Sequence, residues 1–120
     1  MINKTIYLAS ASPRRREILE TAGLTPVIIR ADADESEVSF VPGHPGEYVM
    51  ALAKLKNDAA VHDNPGLCDG IILTADTVVV GDDMLPPLGK PKDHDDAVRM
   101  LRSLSGRSHR VLTGVMIRDL

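Results

Sequence analysis

The ten residues Ile71–Val80 read IILTADTVVV. Nearly every side chain in the run is β-branched or aliphatic. Such a stretch is too short to span a bilayer and reads as a strand buried at the centre of a sheet. Asp76 interrupts it. A carboxylate buried there without a partner would cost several kcal/mol, so it must either be paired or project into a cleft. In α/β sheets, functional side chains gather toward the C-terminal ends of strands, and Asp76 is expected to project into a cleft there. An aspartate in that place can bind a divalent cation or deprotonate an attacking water. It can also serve as a structural cap on the strand end, and the residues alone leave these roles open.

Moving outward toward the N-terminus, residues 45–62 place Val49, Leu52, Ala53 and Ala60 at helical spacing, with Lys56 on or beside the same face. Asn64-Pro65-Gly66 ends that helix, and the Pro- and Gly-rich residues 41–46 precede it. Residues 32–37 carry Asp32, Asp34, Glu35 and Glu37 and read as an exposed loop. A strand is expected over residues 26–30 and another over residues 4–9. Between them, Ser10-Ala11-Ser12-Pro13 reads as a helix start, with a hydroxyl at the N-cap and proline at the first helical position. That helix runs through Ile18 and Leu19 and stops at Gly23. Toward the C-terminus, Gly81-Asp82-Asp83 forms a turn and Pro86-Pro87-Leu88-Gly89 a loop leading to Lys90-Pro91. Residues 95–104 form a third helix, carrying the apolar Ala97, Val98, Met100, Leu101 and Leu104 and stopping at Gly106, and residues 111–117 a last strand. This alternation predicts an α/β fold, a mixed twisted sheet flanked by helices, built as one domain over residues 1–120.

Composition bounds the function. The 120 residues are 43% hydrophobic and 26% charged, with a formal net charge of −3. Mean hydropathy is −0.05. These values describe an ordinary globular chain rather than a disordered or fibrous one. An acidic balance and 2% aromatic residues argue against nucleic acid as a partner, because neither a basic field nor stacking platforms are available. MINKTIYLAS lacks the apolar core of a signal peptide, and no segment reads as a membrane span. Cys68 is the only cysteine, so no internal disulfide can form and a reducing, cytoplasmic location is expected.

The strand–helix junction carries the clearest local chemistry. A helix N-terminus offers open amides and the positive end of a dipole. Ser10 and Ser12 add hydroxyls, and Arg14 and Arg15 add forked donors suited to phosphate oxygens. It is not a P-loop, because the glycine framework and the terminal Gly-Lys-Ser/Thr are missing. A plain N-cap followed by a solvated basic turn remains an equal reading of the junction taken alone. Glu35 offers a second carboxylate that would complete a metal site with Asp76, although among four acids it also reads as a solvated loop residue. Lys56 and Lys90 read by default as surface lysines, with Lys90 fixed in its loop by Gly89 and Pro91. His44, His62, His94 and His109 show no metal-ligand spacing, and Cys68 has no activating histidine nearby.

The segments LASASPRRREIL, DADESE, EYVMALAKLK, ILTADTVVV, GKPKDHDDAVRMLRSLSGRSH and RVLTGV occur in the order seen in the Maf family, and the chain resembles that family over most of its length. The resemblance implies an α/β fold related to inosine triphosphate pyrophosphatases, with a cleft between two lobes. It implies hydrolysis of a nucleoside triphosphate to monophosphate and pyrophosphate, with Mg2+ or Mn2+ as cofactor and a homodimer as one expected assembly. Carried over by position, Asp76 matches the family's proton acceptor and Glu35 an acid tied to metal or water. Ser10, Ser12, Arg14, Arg15, Lys56 and Lys90 match substrate-binding positions. Arg14 and Thr77 resemble the branch acting on dTTP and UTP, whereas the branch cleaving 7-methyl-GTP carries an aromatic where Arg14 stands. Family members continue beyond the position of Leu120 with further strands, a base-selecting glutamine and a glycine-rich segment. The chain therefore reads as an N-terminal portion, and a nucleotide-binding module without turnover is the competing expectation.

Overall fold

The computed structural model describes residues 4–10 and 12–120. Residues 1–3, which begin the stretch lacking a signal-peptide core, and Ala11 of the serine-rich turn lie outside them. In chain order the elements are β1 (Ile6–Leu8), α1 (Pro13–Thr21), β2 (Val27–Ile28), a 3-10 turn (Glu35–Glu37), α2 (Pro45–Asp63), β3 (Ile71–Val80), α3 (His94–Leu104) and β4 (Arg110–Asp119). The strands form one sheet in the order β2-β1-β3-β4. β1 runs parallel to both β2 and β3, while β4 returns antiparallel to β3 from Ile71↔Asp119 to Val80↔Arg110. The fold is therefore α/β with a mixed sheet. Among the described residues no helix is long and apolar enough to cross a membrane.

β3 is central, as its composition predicts, but only one of its faces is sealed. Ile72, Thr74, Val78 and Val80 point toward α2 and are buried. Val49 and Leu52 pack on Val78 and Val80, whereas Ala60 packs with Ile72 and Ala9. The helix thus runs antiparallel to the strand across it, with one apolar cluster at each end. Between the clusters lies a polar layer. Asn57 is fully buried, and its amide nitrogen donates to Thr74 Oγ1 at 3.1 Å and to the carbonyls of Ile72 and Met116 at 3.3 Å. Its amide oxygen accepts from Arg118 Nε at 2.7 Å, and Thr74 Oγ1 donates to the Ala53 carbonyl at 2.8 Å. Among the described residues no buried side-chain polar atom lacks a partner. One asparagine therefore ties α2 to both long strands.

Two glycines permit close approaches. A Cβ on Gly114 of β4 would sit 2.8 Å from the Val49 carbonyl oxygen, so the helix backbone rests directly on that strand. Gly70, at φ 110°, turns the chain into β3, and a Cβ there would meet the Thr5 carbonyl at 2.7 Å.

The other elements pack more lightly than the sequence suggests. β1 and β2 are shorter than expected, and the acidic loop contains a 3-10 turn. Neither α1 nor α3 buries a residue fully. The expected apolar stripe of α3 is divided: Ala97, Val98, Met100 and Leu104 are half-buried, while Leu101 is exposed. Ser12 is the N-cap of α1 but makes no side-chain cap; α3 is capped by Asp93, which accepts from the Asp96 amide at 2.8 Å.

Asn57→Ala should lower unfolding stability by about 2–4 kcal/mol, because it strands several buried groups at once. Gly114→Ala should cost about 1–3 kcal/mol through forced separation of α2 from β4. Urea unfolding of both variants checks this, and a loss under about 0.5 kcal/mol for Asn57→Ala would contradict the anchoring role.

Candidate functional site

A cleft of about 1130 Å³ opens beyond the C-terminal end of β1, where β3 continues past its shorter neighbour. Ser10, Ser12, Arg15, Glu35, Lys56, Asp76, Thr77 and Lys90 all line it. Three arms meet there: the β1–α1 junction, the middle of α2, and the second half of β3. The position agrees with the general tendency of α/β sheets to bind ligands where strand ends leave a crevice.

On one wall Lys56 stands between two carboxylates. Its Nζ lies 2.5 Å from Asp76 Oδ1 and 3.2 Å from Glu35 Oε1. The Asp76 side chain is 13% exposed and that of Lys56 23%, so this pair is shielded enough for its attraction to matter, whereas Glu35 is 54% exposed. Asp76 thus has the partner that its place in an apolar strand requires. Lys56 reaches it because Asn57, the next residue, is locked into the core. Glu35 is delivered by the 3-10 turn, whose entry Asp34 organises by accepting from the Ser36 amide at 3.1 Å and the Ser36 hydroxyl at 2.6 Å. Those two bonds hold the Asp34 carboxyl below its ordinary pKa.

On the opposite wall the helix tip gathers donors. Ser10 Oγ accepts from the Ser12 amide at 3.1 Å and from Arg15 Nη1 at 3.3 Å. Arg15 Nη2 donates to Thr77 Oγ1 at 3.1 Å, and Thr77 Oγ1 lies 3.0 Å from Thr113 Oγ1 across the β3–β4 pair. Ser10 Oγ has both lone pairs engaged, which leaves its proton to donate into the cleft. With no side-chain cap on α1, the first-turn amides also remain open to an anion.

The two arginines part company. Arg15 faces the cleft, whereas Arg14 lines a second, mostly apolar groove of about 530 Å³ with Leu8, Ile18, Leu19, Leu73 and Val115. That groove adjoins the cleft, sharing Ser12, Arg15 and Thr77 with it. Lys90 is exposed at the rim, on a loop held back against β3 by the Leu88 amide donating to the Val79 carbonyl at 2.9 Å. Leu88 thus ties the loop to β3 ahead of the flanking Gly89 and Pro91.

Other residues shape the site without having been singled out in the sequence. Asn64 Nδ2 donates to the Arg30 carbonyl at 2.7 Å, and Asp63 Oδ2 accepts from the Asp32 amide at 2.7 Å. The end of α2 therefore braces residues 30–32, which form part of the cleft wall. The Asp32 amide, followed by His62, holds the Asp63 carboxyl below its ordinary pKa of 3.8, so this brace is intact above that pH and is lost as the pH falls below it. Asn57 had one readable signal: it follows Ala53 by four and falls on the apolar stripe of α2. Thr113 had none.

Among the described residues, no group of three or more histidine, cysteine, aspartate and glutamate side chains converges as a closed metal cage. Cys68 is exposed. Glu35 and Asp76 do converge on one point, held there by the ammonium of Lys56. Two carboxylates around a cationic centre, with room for phosphate oxygens, are a donor set that suits a hard divalent cation.

The fold is α/β, and one cleft in it is lined by the N-terminal tip of α1 and by the acid pair Asp76 and Glu35. Residues 5–120 match the Maf-like protein family, and the chain belongs to it. It is 49% identical to the dTTP/UTP pyrophosphatase of Chromobacterium violaceum, covering 95% of this chain and 57% of that protein. It is 48% identical to the dTTP/UTP pyrophosphatase of Cupriavidus metallidurans, with 93% and 58% covered, and 44% identical to that of Ruminiclostridium cellulolyticum, with 98% and 58% covered. The chain thus spans a little over half the length of these relatives.

Lys56 and Asp76 should be energetically coupled. In a cycle of Lys56→Met, Asp76→Asn and the double variant, urea unfolding should give a coupling energy of about 1–3 kcal/mol. Strict additivity would show that the contact contributes nothing to the folded state.

Proposed function

We propose that this chain carries the phosphate-binding tip and the acid pair of a nucleoside triphosphate pyrophosphatase acting on dTTP and UTP. The observation that supports this reading best is the single cleft in which Lys56 joins Asp76 and Glu35 opposite Ser10, Ser12 and Arg15.

The triphosphate lies across the cleft. Ser10, Ser12 and the first amides of α1 receive its oxygens, and Arg15, Lys56 and Lys90 neutralise them. Asp76 accepts a proton from a water that attacks the α phosphorus. The bond from that phosphorus to the bridging oxygen breaks, and pyrophosphate leaves with the electron pair. Glu35 and Asp76 would hold Mg2+ or Mn2+, and such an ion, when bound, supplies further charge neutralisation at the phosphates. With a ligand bound, the Lys56 ammonium exchanges part of its contact with the carboxylates for phosphate oxygens.

Two observations favour dTTP and UTP over 7-methyl-GTP. The Chromobacterium violaceum and Cupriavidus metallidurans relatives are dTTP/UTP pyrophosphatases. Arg14 and Thr77 line the groove that adjoins the phosphate cleft, and arginine there offers hydrogen-bond donors in place of the aromatic face that a methylated purine would stack on. The lone cysteine, exposed and unpaired, is compatible with a reducing cytoplasm.

Pyrophosphate release from dTTP, UTP and 7-methyl-GTP with Mg2+ or Mn2+ tests the reading. Turnover of dTTP and UTP is expected to exceed that of 7-methyl-GTP, and Asp76→Asn should lower kcat by about 10²–10⁴. Saturable nucleotide binding without any release would leave a binding module instead.

A further inference from the structure

We infer that Thr113 is a positioning residue for this site, setting the direction in which Thr77 presents its hydroxyl proton to the ligand. The inference rests on the pyrophosphatase reading. Thr113 stands directly opposite Thr77 in the β3–β4 register, and the two Oγ1 atoms are 3.0 Å apart. Thr77 Oγ1 also accepts from Arg15 Nη2 at 3.1 Å, and Arg15 Nη1 reaches Ser10 Oγ at 3.3 Å. A chain of hydroxyls and one guanidinium therefore runs from β4, through β3, to the helix tip.

A hydroxyl has one proton and two lone pairs. Arg15 fills one lone pair of Thr77. If Thr77 gives its proton to Thr113, a lone pair remains but no proton is left to donate to a ligand. If Thr113 donates instead, both lone pairs of Thr77 are taken, and its proton must point away from the protein groups. A ligand oxygen, whether of a phosphate or of a pyrimidine carbonyl, requires a donor and so selects the second arrangement. Thr113 then fixes the Thr77 rotamer, and through it the Arg15 guanidinium. Both threonines line the groove shared with Arg14, so the relay lies between the phosphate cleft and that groove.

A cross-strand threonine pair is also an ordinary device for stabilising a sheet, and the test separates the two roles. Thr113→Val removes the hydroxyl but keeps the shape and favours a strand; Thr113→Ser keeps the hydroxyl and drops the methyl. Calorimetric binding of dTTP should weaken about three- to tenfold in Thr113→Val, the size of one lost neutral hydrogen bond, and stay within about twofold of wild type in Thr113→Ser. In a Thr77→Val background, Thr113→Val should cause no further loss. Unchanged affinity in Thr113→Val, or an undiminished loss in the Thr77→Val background, overturns the inference while leaving the pyrophosphatase reading intact. If the wild-type chain shows no saturable binding of dTTP or UTP, that reading fails and this inference falls with it.

Discussion

Asn57 and Thr74 meet in the buried interior between α2 and the sheet, and their 3.1 Å hydrogen bond sets how the helix is rotated over β3. Lys56 is one residue from that contact on the helix, and Asp76 two residues from it on the strand. Because successive helical positions differ by about 100° and strand side chains alternate, fixing the buried pair leaves Lys56 one direction, along the edge of the core toward Asp76. The apolar clusters on either side supply most of the burial, yet they tolerate small slides of one surface over another. The polar layer does not, since a shift would leave the Asn57 amide and the Thr74 hydroxyl without partners. A buried polar contact thus places the charged one.

Two cations of the resulting cleft are held by neighbours: Lys56 by the carboxylates of Asp76 and Glu35, and Arg15 by the hydroxyls of Ser10 and Thr77. The held guanidinium of Arg15 reduces the side-chain ordering that binding an anion must impose. The braces behind the walls follow the same logic. Asp63 and Asn64 secure residues 30–32, Asp34 shapes the turn that carries Glu35, and the Leu88 amide holds the Lys90 loop to Val79. Each of these braces involves a backbone amide or carbonyl rather than two long side chains.

The central strand and the long helix were legible because burial imposes periodicity: IILTADTVVV allows little else, and Val49, Leu52, Ala53 and Ala60 repeat at helical spacing. Asp76 was legible by contrast with its neighbours. The short extent of β2, only Val27–Ile28, was not, since its side chains are exposed and its pairing depends on β1 alone. α3 misled in the other direction, because an amphipathic stripe shows what a helix is able to bury rather than what it meets. The separation of Arg14 from Arg15 was also hidden: adjacent residues on a helix point about 100° apart, and only the position of the sheet decides which one enters the cleft. Asn57 and Thr113 escaped notice because their roles are set by partners distant in sequence.

The arrangement of acid pair and helix tip around one hollow is tested most directly by paramagnetic relaxation from Mn2+, recorded on the isotopically labelled chain with a nonhydrolysable dTTP analogue. If the two walls face a common site, the amides of Glu35, Asp76 and Arg15 broaden together while those of residues 98–104 on α3 stay sharp. Broadening of Glu35 and Asp76 without Arg15, or of neither wall while a remote surface responds, would contradict that geometry.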